Sequence, residues 1–415
     1  MPNINERQNL PLLTADLEGI GGIIKSRPDD FLVEELPAYE PSGEGTHLYA
    51  LIEKRGITTI AAIARIAKAL KIRRRDVGFA GLKDTHAITR QWVSVEHISP
   101  DVFLKLQIPR VKILKLARHR NKILLGHLSA NCFIVRIRNF APPLQQAIKR
   151  TEEILDVLTK RGVPNFFGPQ RFGNRYDGHI LGKAIITGQI DEFIDTFLGR
   201  PTADEPAVFI TARTYYDQGD YEKAVENWPH PFAEHRRALK RLIHTAGDKR
   251  KAFTSIDGHL KRLFISAYQS DIYNRVLAAR MPLIDKLLHG DMAMKHENGA
   301  CFRVEDLQAD QPRCDSFEIS PTGPILGKRM TELIGPAGEI ENPILQDAKE
   351  VLKNAPDLDK HIARGGRRPL RFKPQNANVS AGQDDRGDYI ELQFSLDSGC
   401  YATILLREIT KSPGE

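Results

Sequence analysis

Cysteine is scarce in this chain of 415 residues, and its four cysteines are not arranged for metal binding. None belongs to a C-x-x-C pair, and no histidine lies at metal-ligand spacing from a cysteine pair. We therefore expect neither a disulfide framework nor a structural zinc site, and the scattered thiols are typical of a cytoplasmic protein. The four are Cys132, Cys301, Cys314 and Cys400.

Long apolar runs are also absent. No stretch approaches the roughly 18 uninterrupted apolar residues of a membrane span. Residues 1–18 contain acidic side chains and no apolar segment, so no signal peptide is expected. A hydrophobic fraction of 41% with 27% charged residues favours a globular chain over a disordered one or a polytopic membrane protein.

The common motifs for nucleotide and zinc chemistry are missing as well. There is no G-x-x-x-x-G-K-[ST] loop and no G-x-G-x-x-G turn between a strand and a helix. His296 and Glu297 have no second histidine that would complete H-E-x-x-H. Hydrolysis of nucleoside triphosphates and zinc-dependent hydrolysis are therefore disfavoured.

Positive charge is in modest excess, since 60 Lys and Arg against 53 Asp and Glu give a net charge of +7. Charge runs are usually solvated faces, but four basic clusters in one such chain favour contacts with the phosphates of a polyanion. The clusters are Lys71, Arg73, Arg74 and Arg75; Arg110, Lys112, Lys115, Arg118, Arg120 and Lys122; Arg236, Arg237, Lys240 and Arg241; and Arg364, Arg367, Arg368, Arg371 and Lys373.

Two regions of mixed strands and helices flank a helical middle. Strands are predicted over 31–36, 47–53, 92–95, 133–138, 389–394 and 402–406, and helices over 58–70, 144–160, 191–198, 232–245 and 257–281. The segment 320–324 is typical of a Gly/Pro turn, and 361–374 of a basic linker. This pattern predicts a middle domain, 168–345, inserted into a first domain made of 1–167 and 346–415.

The most informative loop is V-G-F-A-G-L-K-D-T-H-A-I-T-R-Q-W at 77–92. Gly78 and Gly81 permit a tight backbone path and the close approach of a ligand. Asp84 stands beside Lys83, and neighbouring cations favour its charged form, so it can act as a nucleophile or a base. The residues alone favour a structural role, in which Asp84 caps a turn or the start of the next element.

Seven motifs, in the same order, resemble those of the TruD family of tRNA pseudouridine synthases. G-L-K-D at 81–84 resembles the family's catalytic motif, and P-N-F-F-G-P-Q-R-F-G at 164–173 its longest signature. The others are K-S-R-P-D-D-F at 25–31, G-E-G-T-H at 43–47, N-C-F at 131–133, E-I-S-P-T-G-P at 318–324 and the segment 402–408. Each motif is short, but their order along almost the whole chain makes the resemblance specific. The middle region looks longer than that of the compact bacterial pattern.

The resemblance implies an α+β fold: a catalytic domain with a mainly antiparallel sheet, interrupted by an inserted α/β domain. It also implies conversion of a tRNA uridine, at position 13, to pseudouridine, without a metal or an organic cofactor. The family's essential aspartate corresponds to Asp84, which would attack the ribose or take a proton from it. Lys25 corresponds to a cation beside that aspartate, and Phe133 to a ring that stacks on the target base. The further substrate-binding candidates are Lys83, Asn131, Arg171 and Arg407.

Each candidate has a structural alternative. Phe133 alternates with apolar residues and can belong to the core, and Asn131 can sit in a turn. Lys25 can be a solvated lysine, Arg171 can hold a domain junction, and Arg407 can cap a strand.

Two other functions stay open at this point. An RNA-binding protein without catalysis would have no need of the G-L-K-D loop. A metal-dependent nuclease would need clustered carboxylates, whereas the nearest acid before Asp84 is Asp76. We expect a tRNA partner and no membrane contact. The sequence leaves the oligomeric state open, and a monomer is compatible with it.

Overall fold

The structure is a computed structural model that describes residues 10–327, 330–353 and 365–412. The chain forms two compact units. Of the described residues, the sheet unit comprises Leu12–Val163 and Phe372–Ser412, and the helical unit comprises Pro164–Arg371 together with Leu10 and Pro11. In the part of the chain that is described, no helix is long and apolar enough to cross a membrane.

The sheet unit is built on strands from both of its chain segments. Its strands are β1 Gly21–Ile23, β2 Phe31–Pro37, β3 His47–Arg55, β4 Gly78–Phe79, β5 Ile88–Glu96, β6 Val111–His119, β7 Leu128–Phe140, β14 Gln375–Asp384 and β15 Gly387–Asp397. Its helices are α1 Thr59–Leu70, α2 Pro100–Leu104, α3 Leu144–Arg161 and α13 Ala402–Thr410.

These strands form one sheet in the order β14-β15-β7-β2-β5-β3-β6, with β1 added on β7 and β4 on β5. Among the described residues, β2 and β5 are its one parallel pair, joined over Leu32–Glu34 and Ile88–Arg90. Further along, β5 pairs with β4 instead, Phe79 opposite Val93. The strands β2 and β5 therefore separate, and the loop 80–87 begins where they part.

Helix α1 covers one face of the sheet. It begins after Thr58, whose side chain accepts a hydrogen bond from the amide of Ala61, as an N-cap residue does. Its apolar stripe packs against inward-facing residues of β3 and β5, because every second side chain of a strand points to the same face. The core they share contains Leu48, Ala50, Ile52, Ile63, Ile66, Ala67, Val93 and Val95.

The helical unit combines nine helices with a small sheet in its described residues. The helices are α4 Gly178–Ile186, α5 Ile190–Leu198, α6 Ala207–Asp217, α7 Tyr221–Asn227, α8 Ala233–His244, α9 Lys249–Ser255, α10 Gly258–Arg280, α11 Leu307–Asp315 and α12 Gly335–Lys353. The strands are β9 Met292–Lys295, β10 Cys301–Arg303, β11 Ile319–Ile325 and β12 Gly366–Pro369, in the order β10-β9-β11-β12. The short strands β8 Val163–Pro164 and β13 Arg371–Phe372 lie where the chain passes between the units.

The predicted α+β class and the mainly antiparallel sheet are confirmed, as are most of the predicted elements. Three segments differ. Residues 320–324 lie in the buried strand β11, where Gly323 leaves room for the ring of Tyr273. The described part of the predicted linker 361–374 includes β12 and β13, while 361–364 lie outside the described residues. Residues 402–406 begin helix α13, because a short apolar run does not distinguish a strand from a buried helix.

The bounds of the compact units also differ from the predicted domain bounds. The helical unit runs from 164 to 371, whereas the sequence predicted 168–345. The C-terminal difference has a physical reason: β12 pairs with β11 through Thr322–Pro369 and three further residue pairs, which keeps 366–369 in the helical unit.

Candidate active site

Asp84 lies in the loop 80–87 with its carboxylate within reach of solvent. Its Oδ1 accepts a hydrogen bond from the Nζ of Lys25 at 3.4 Å. The side chain of Asp84 is 40% exposed, and that of Lys25 is 19% exposed. Lys25 itself has a left-handed backbone, with φ of 57°. The cation that was expected beside the aspartate is therefore present, and it leaves part of the carboxylate open.

A row of aromatic rings extends from this ion pair across the sheet. The ammonium of Lys25 lies 4.3 Å from the centre of the Phe31 ring. Phe31 meets the edge of Phe133, with ring centres 6.1 Å apart, and Phe133 stacks on Phe394 at 5.3 Å. The rings come from β2, β7 and β15, which are neighbours in the sheet. Phe133 is 7% exposed, so most of its ring is already packed against protein.

Lys83 points inward, away from solvent. Its side chain is 5% exposed, and its Nζ lies 3.0 Å from Oε2 of the buried Glu35. The same ammonium donates to Oδ1 of Asn131 at 2.5 Å. Burial raises the pKa of Glu35, although the charge of Lys83 acts in the opposite direction. The other oxygen of Glu35 accepts from the amide of Trp92 at 3.2 Å, which links β2 and β5 beyond their last direct pair. The predicted substrate contacts of Lys83 and Asn131 stay predictions.

A second charged network holds the segment that carries Lys25. The guanidinium of Arg138 donates to both oxygens of Asp30, at 2.9 and 2.7 Å, and to both oxygens of Asp384, at 2.9 and 2.7 Å. Asp30 and Arg138 are almost fully buried. The bonds from Arg138 hold the pKa of Asp384 well below its usual range. Asp30 stands directly before Phe31, the last residue of the K-S-R-P-D-D-F motif, so the network anchors the end of the turn that leads from Lys25 into β2.

The two remaining candidates are found elsewhere. Arg171 belongs to the helical unit, where its Nε donates to Oγ of Ser270 at 3.2 Å and its guanidinium lies over the Phe167 ring. Arg407 lies half-buried in α13 and not after a strand, so the predicted strand cap at this position is wrong.

The four basic clusters do not share one environment. The clusters around Arg74 and Lys115 belong to the sheet unit and are largely exposed, the second of them along the edge strand β6. In the fourth cluster, Arg367 forms a buried two-bond ion pair with Glu341, and Arg371 is fully buried. The side chains of Arg367 and Arg371 therefore have structural contacts inside the protein and are not available to phosphates.

Several supporting residues were not found from the sequence. They include Glu35, Lys54, Arg138 and Phe394. A lysine or glutamate inside a strand pattern reads as a solvated residue, and only the pairing of distant strands shows that these side chains are covered.

The chain is similar to known proteins over nearly its whole length. The sequence model of the family described as tRNA pseudouridine synthase D (TruD) matches residues 7–409. The chain is 43% identical to a tRNA pseudouridine synthase D of Geobacter sp. (strain M21), covering 96% of this chain and 99% of that protein. It is also 43% identical to the corresponding protein of Geobacter sulfurreducens over 97% of both chains.

A solved structure is similar over the whole chain. It is a crystal structure from Methanosarcina mazei described under the name tRNA pseudouridine synthase D (TruD), with a TM-score of 0.86 and 27% identity. The similarity covers 100% of this chain and 99% of that one. With the order of its motifs, its fold and these matches, the chain belongs to the TruD family of tRNA pseudouridine synthases.

Proposed function

We propose that this protein converts the uridine at position 13 of tRNA to pseudouridine in the cytoplasm, with Asp84 as the catalytic carboxylate. The observation that carries the proposal is the pair of Asp84 and Lys25: a partly exposed carboxylate held by one ammonium, in the loop that resembles the family's catalytic motif. The position within tRNA follows the resemblance of the motifs.

The reaction is an isomerisation, so its atoms balance without a second reactant. The bond between N1 of uracil and C1′ of the ribose breaks, and a bond between C5 and C1′ forms. The proton on C5 is lost, and N1 gains one. Asp84 acts at the sugar, either as a nucleophile on the ribose or as a base that takes a proton from it. Both roles need a carboxylate fixed beside the ribose, and positioning supplies much of the rate.

Access to the uridine requires that it leave the RNA stack, because the reacting atoms of a stacked nucleotide are not accessible. An aromatic side chain supports such a base without reading its sequence. We assign this role to Phe133, which belongs to the aromatic row that begins with Phe31 beside Lys25. The exposed basic clusters of the sheet unit supply phosphate contacts.

The experiment is a comparison of wild type with Asp84→Asn on unmodified tRNA transcripts. Pseudouridine has the mass of uridine, so the products are cyanoethylated and mapped by mass spectrometry of fragments. We expect modification at position 13 with wild type and none with Asp84→Asn. Asp101→Asn, an exposed acid in the first turn of α2, is the control and should keep full activity.

The outcomes separate the alternatives. Pseudouridine at another position would correct the proposed target uridine and would still support the proposed activity. Equal product from Asp84→Asn and wild type would refute the role of Asp84. A protein that binds the transcripts tightly, leaves every uridine unchanged and binds equally well as Asp84→Asn would be an RNA-binding protein instead.

A further inference from the structure

A lysine is buried beneath the loop that carries Asp84. Lys54 lies on β3 and has no exposed surface. Its Nζ donates to the backbone carbonyl of Asp84 at 2.7 Å, and lies 3.4 Å from the carbonyl of Lys83. A third bond, of 2.9 Å, goes to the carbonyl of Ile57 after the end of β3. One ammonium thus binds two consecutive carbonyls of the loop and ties them to the sheet.

Two further buried side chains hold the same loop. The hydroxyl oxygen of Thr59, at the start of α1, accepts from the amide of Lys83 at 2.9 Å. That hydroxyl donates to Oε1 of Gln91 at 3.1 Å, and Nε2 of Gln91 donates to the carbonyl of Gly81 at 3.4 Å. Thr59 is 2% exposed, and Gln91 has no exposed surface. We call Lys54, Thr59 and Gln91 the buried brace.

The brace binds backbone atoms of the loop, whereas the carboxylate of Asp84 pairs with Lys25. Its members form hydrogen bonds with backbone amide and carbonyl groups of 81–84. Without the brace, these groups would be buried without a partner or would bind water in several loop conformations. A charged amine is an expensive group to bury, and an apolar side chain of similar length often fills such a place at lower free energy. An apolar side chain, however, forms no hydrogen bonds. The bonds of Lys54 to the carbonyls of Asp84 and Lys83 fix the position of the loop backbone.

We propose that Lys54 is a positioning residue, which through the buried brace holds the Asp84 carboxylate at the place where the ribose reacts. The inference rests on the proposed function of Asp84. Lys54 itself touches neither RNA nor the reacting atoms, since it is enclosed by protein. It acts on the chemical step and not on RNA affinity.

Lys54→Met tests this inference, since it keeps the length of the side chain and removes the ammonium. Displacement of a reacting group by about 1 Å lowers a rate by roughly 10²-fold, so we expect kcat to fall on that order while KM for tRNA changes less than about threefold. Ile52→Ala is the matched control, a change in the core on the same strand at a residue that is 1% exposed. At equal folded fraction it should keep kcat.

A second pair of variants covers the case in which Lys54→Met does not fold. Thr59→Val removes the acceptor for the amide of Lys83 and should lower kcat without changing KM. Thr59→Ser keeps the hydroxyl and should restore kcat. Unchanged kcat in Lys54→Met, or in Thr59→Val where Lys54→Met fails to fold, would overturn the inference. So would a loss in Ile52→Ala as large as that in Lys54→Met.

Hydrogen–deuterium exchange gives a readout that does not depend on activity. Amides of 80–87 should exchange faster in Lys54→Met than in wild type, while those of β7 stay protected. A wild-type protein that forms no pseudouridine would refute the proposed function, and unchanged exchange of 80–87 would refute the brace. The two failures are therefore distinguishable.

Discussion

Removing one charge of the ion pair between Glu35 and Lys83 should lower the free energy of unfolding more than removing both charges. The two side chains are 1% and 5% exposed, with the charged atoms 3.0 Å apart. Glu35→Gln leaves the ammonium buried without its carboxylate, and breaking a buried pair in this way costs about 3–5 kcal/mol. Replacing both partners with neutral groups is often close to neutral. We therefore expect Glu35→Gln/Lys83→Met to be more stable than Glu35→Gln by about 2 kcal/mol or more.

The other single variant adds a pH dependence. In Lys83→Met, the carboxyl of Glu35 loses the charge that opposed the burial-raised pKa, so its pKa rises further. A carboxyl whose pKa is higher in the folded state stabilises the fold while it is protonated, and this contribution disappears as pH rises through that pKa. Relative to wild type, Lys83→Met should consequently lose stability as pH rises above the ordinary pKa of a glutamate carboxyl.

Native-state hydrogen exchange of amides in β2, β5 and β7 measures these free energies for the sheet unit. It does not assume that both units unfold in a single transition. Two results would refute the reasoning: a loss below about 1 kcal/mol in Glu35→Gln, which is the range of an exposed pair, or a double variant whose loss equals the sum of the two single losses.

Three further predictions concern the stacking ring, the buried lysine and the arginine clusters. Phe133→Leu should weaken binding of tRNA roughly 5- to 150-fold, because stacking contributes about 1–3 kcal/mol per base. Phe394→Leu, which changes the ring stacked on Phe133, should not weaken it. Equal losses in a filter-binding titration would contradict the assignment of Phe133. Burial lowers the pKa of Lys54 to about 8, so kcat should fall as pH rises through that value; a pH–rate profile without this limb in wild type would speak against it. Over the interval from about 8 to the ordinary lysine pKa, the unfolded state holds the proton longer, so stability should rise with pH. Arg371→Lys should destabilise the protein by about 1–3 kcal/mol, because the carbonyl of Cys314 loses its donor. It should leave the salt dependence of RNA binding unchanged. Lys115→Ala on the exposed edge strand should instead lower the slope of log affinity against log salt concentration by about 1.

The local sequence pattern was sufficient to predict those helices and strands whose own residues show which face is buried. Helix α1 was predicted from its cap and its apolar spacing, and it begins and ends within one residue of that prediction. Strands β2, β3, β5, β7 and β15 were placed by alternation or apolar runs between turn residues. The loop of Asp84 and its neighbour Lys25 were found from motifs, because the family's chemistry depends on residue types at particular spacings.

Local pattern failed where distant chain segments set the environment. The run at 402–406 is apolar enough for a strand, and only its packing as part of α13 makes it a helix. Arg371 stands in a run of basic residues that reads as a solvated linker, yet its guanidinium bonds Cys314 and Ser320 inside the helical unit.

By itself, the sequence determined the order of the motifs, the insertion of one region into another, the identity of the candidate carboxylate and the cation beside it. The tertiary structure decided which side chains surround that carboxylate and its loop. It separated β2 from β5 so that the loop begins in the gap, turned Lys83 inward onto Glu35, and enclosed Lys54 beneath Asp84. The physical reason is that burial of a charge depends on strands far apart in the chain. No window of sequence therefore distinguishes a solvated lysine from one that binds the backbone of the Asp84 loop.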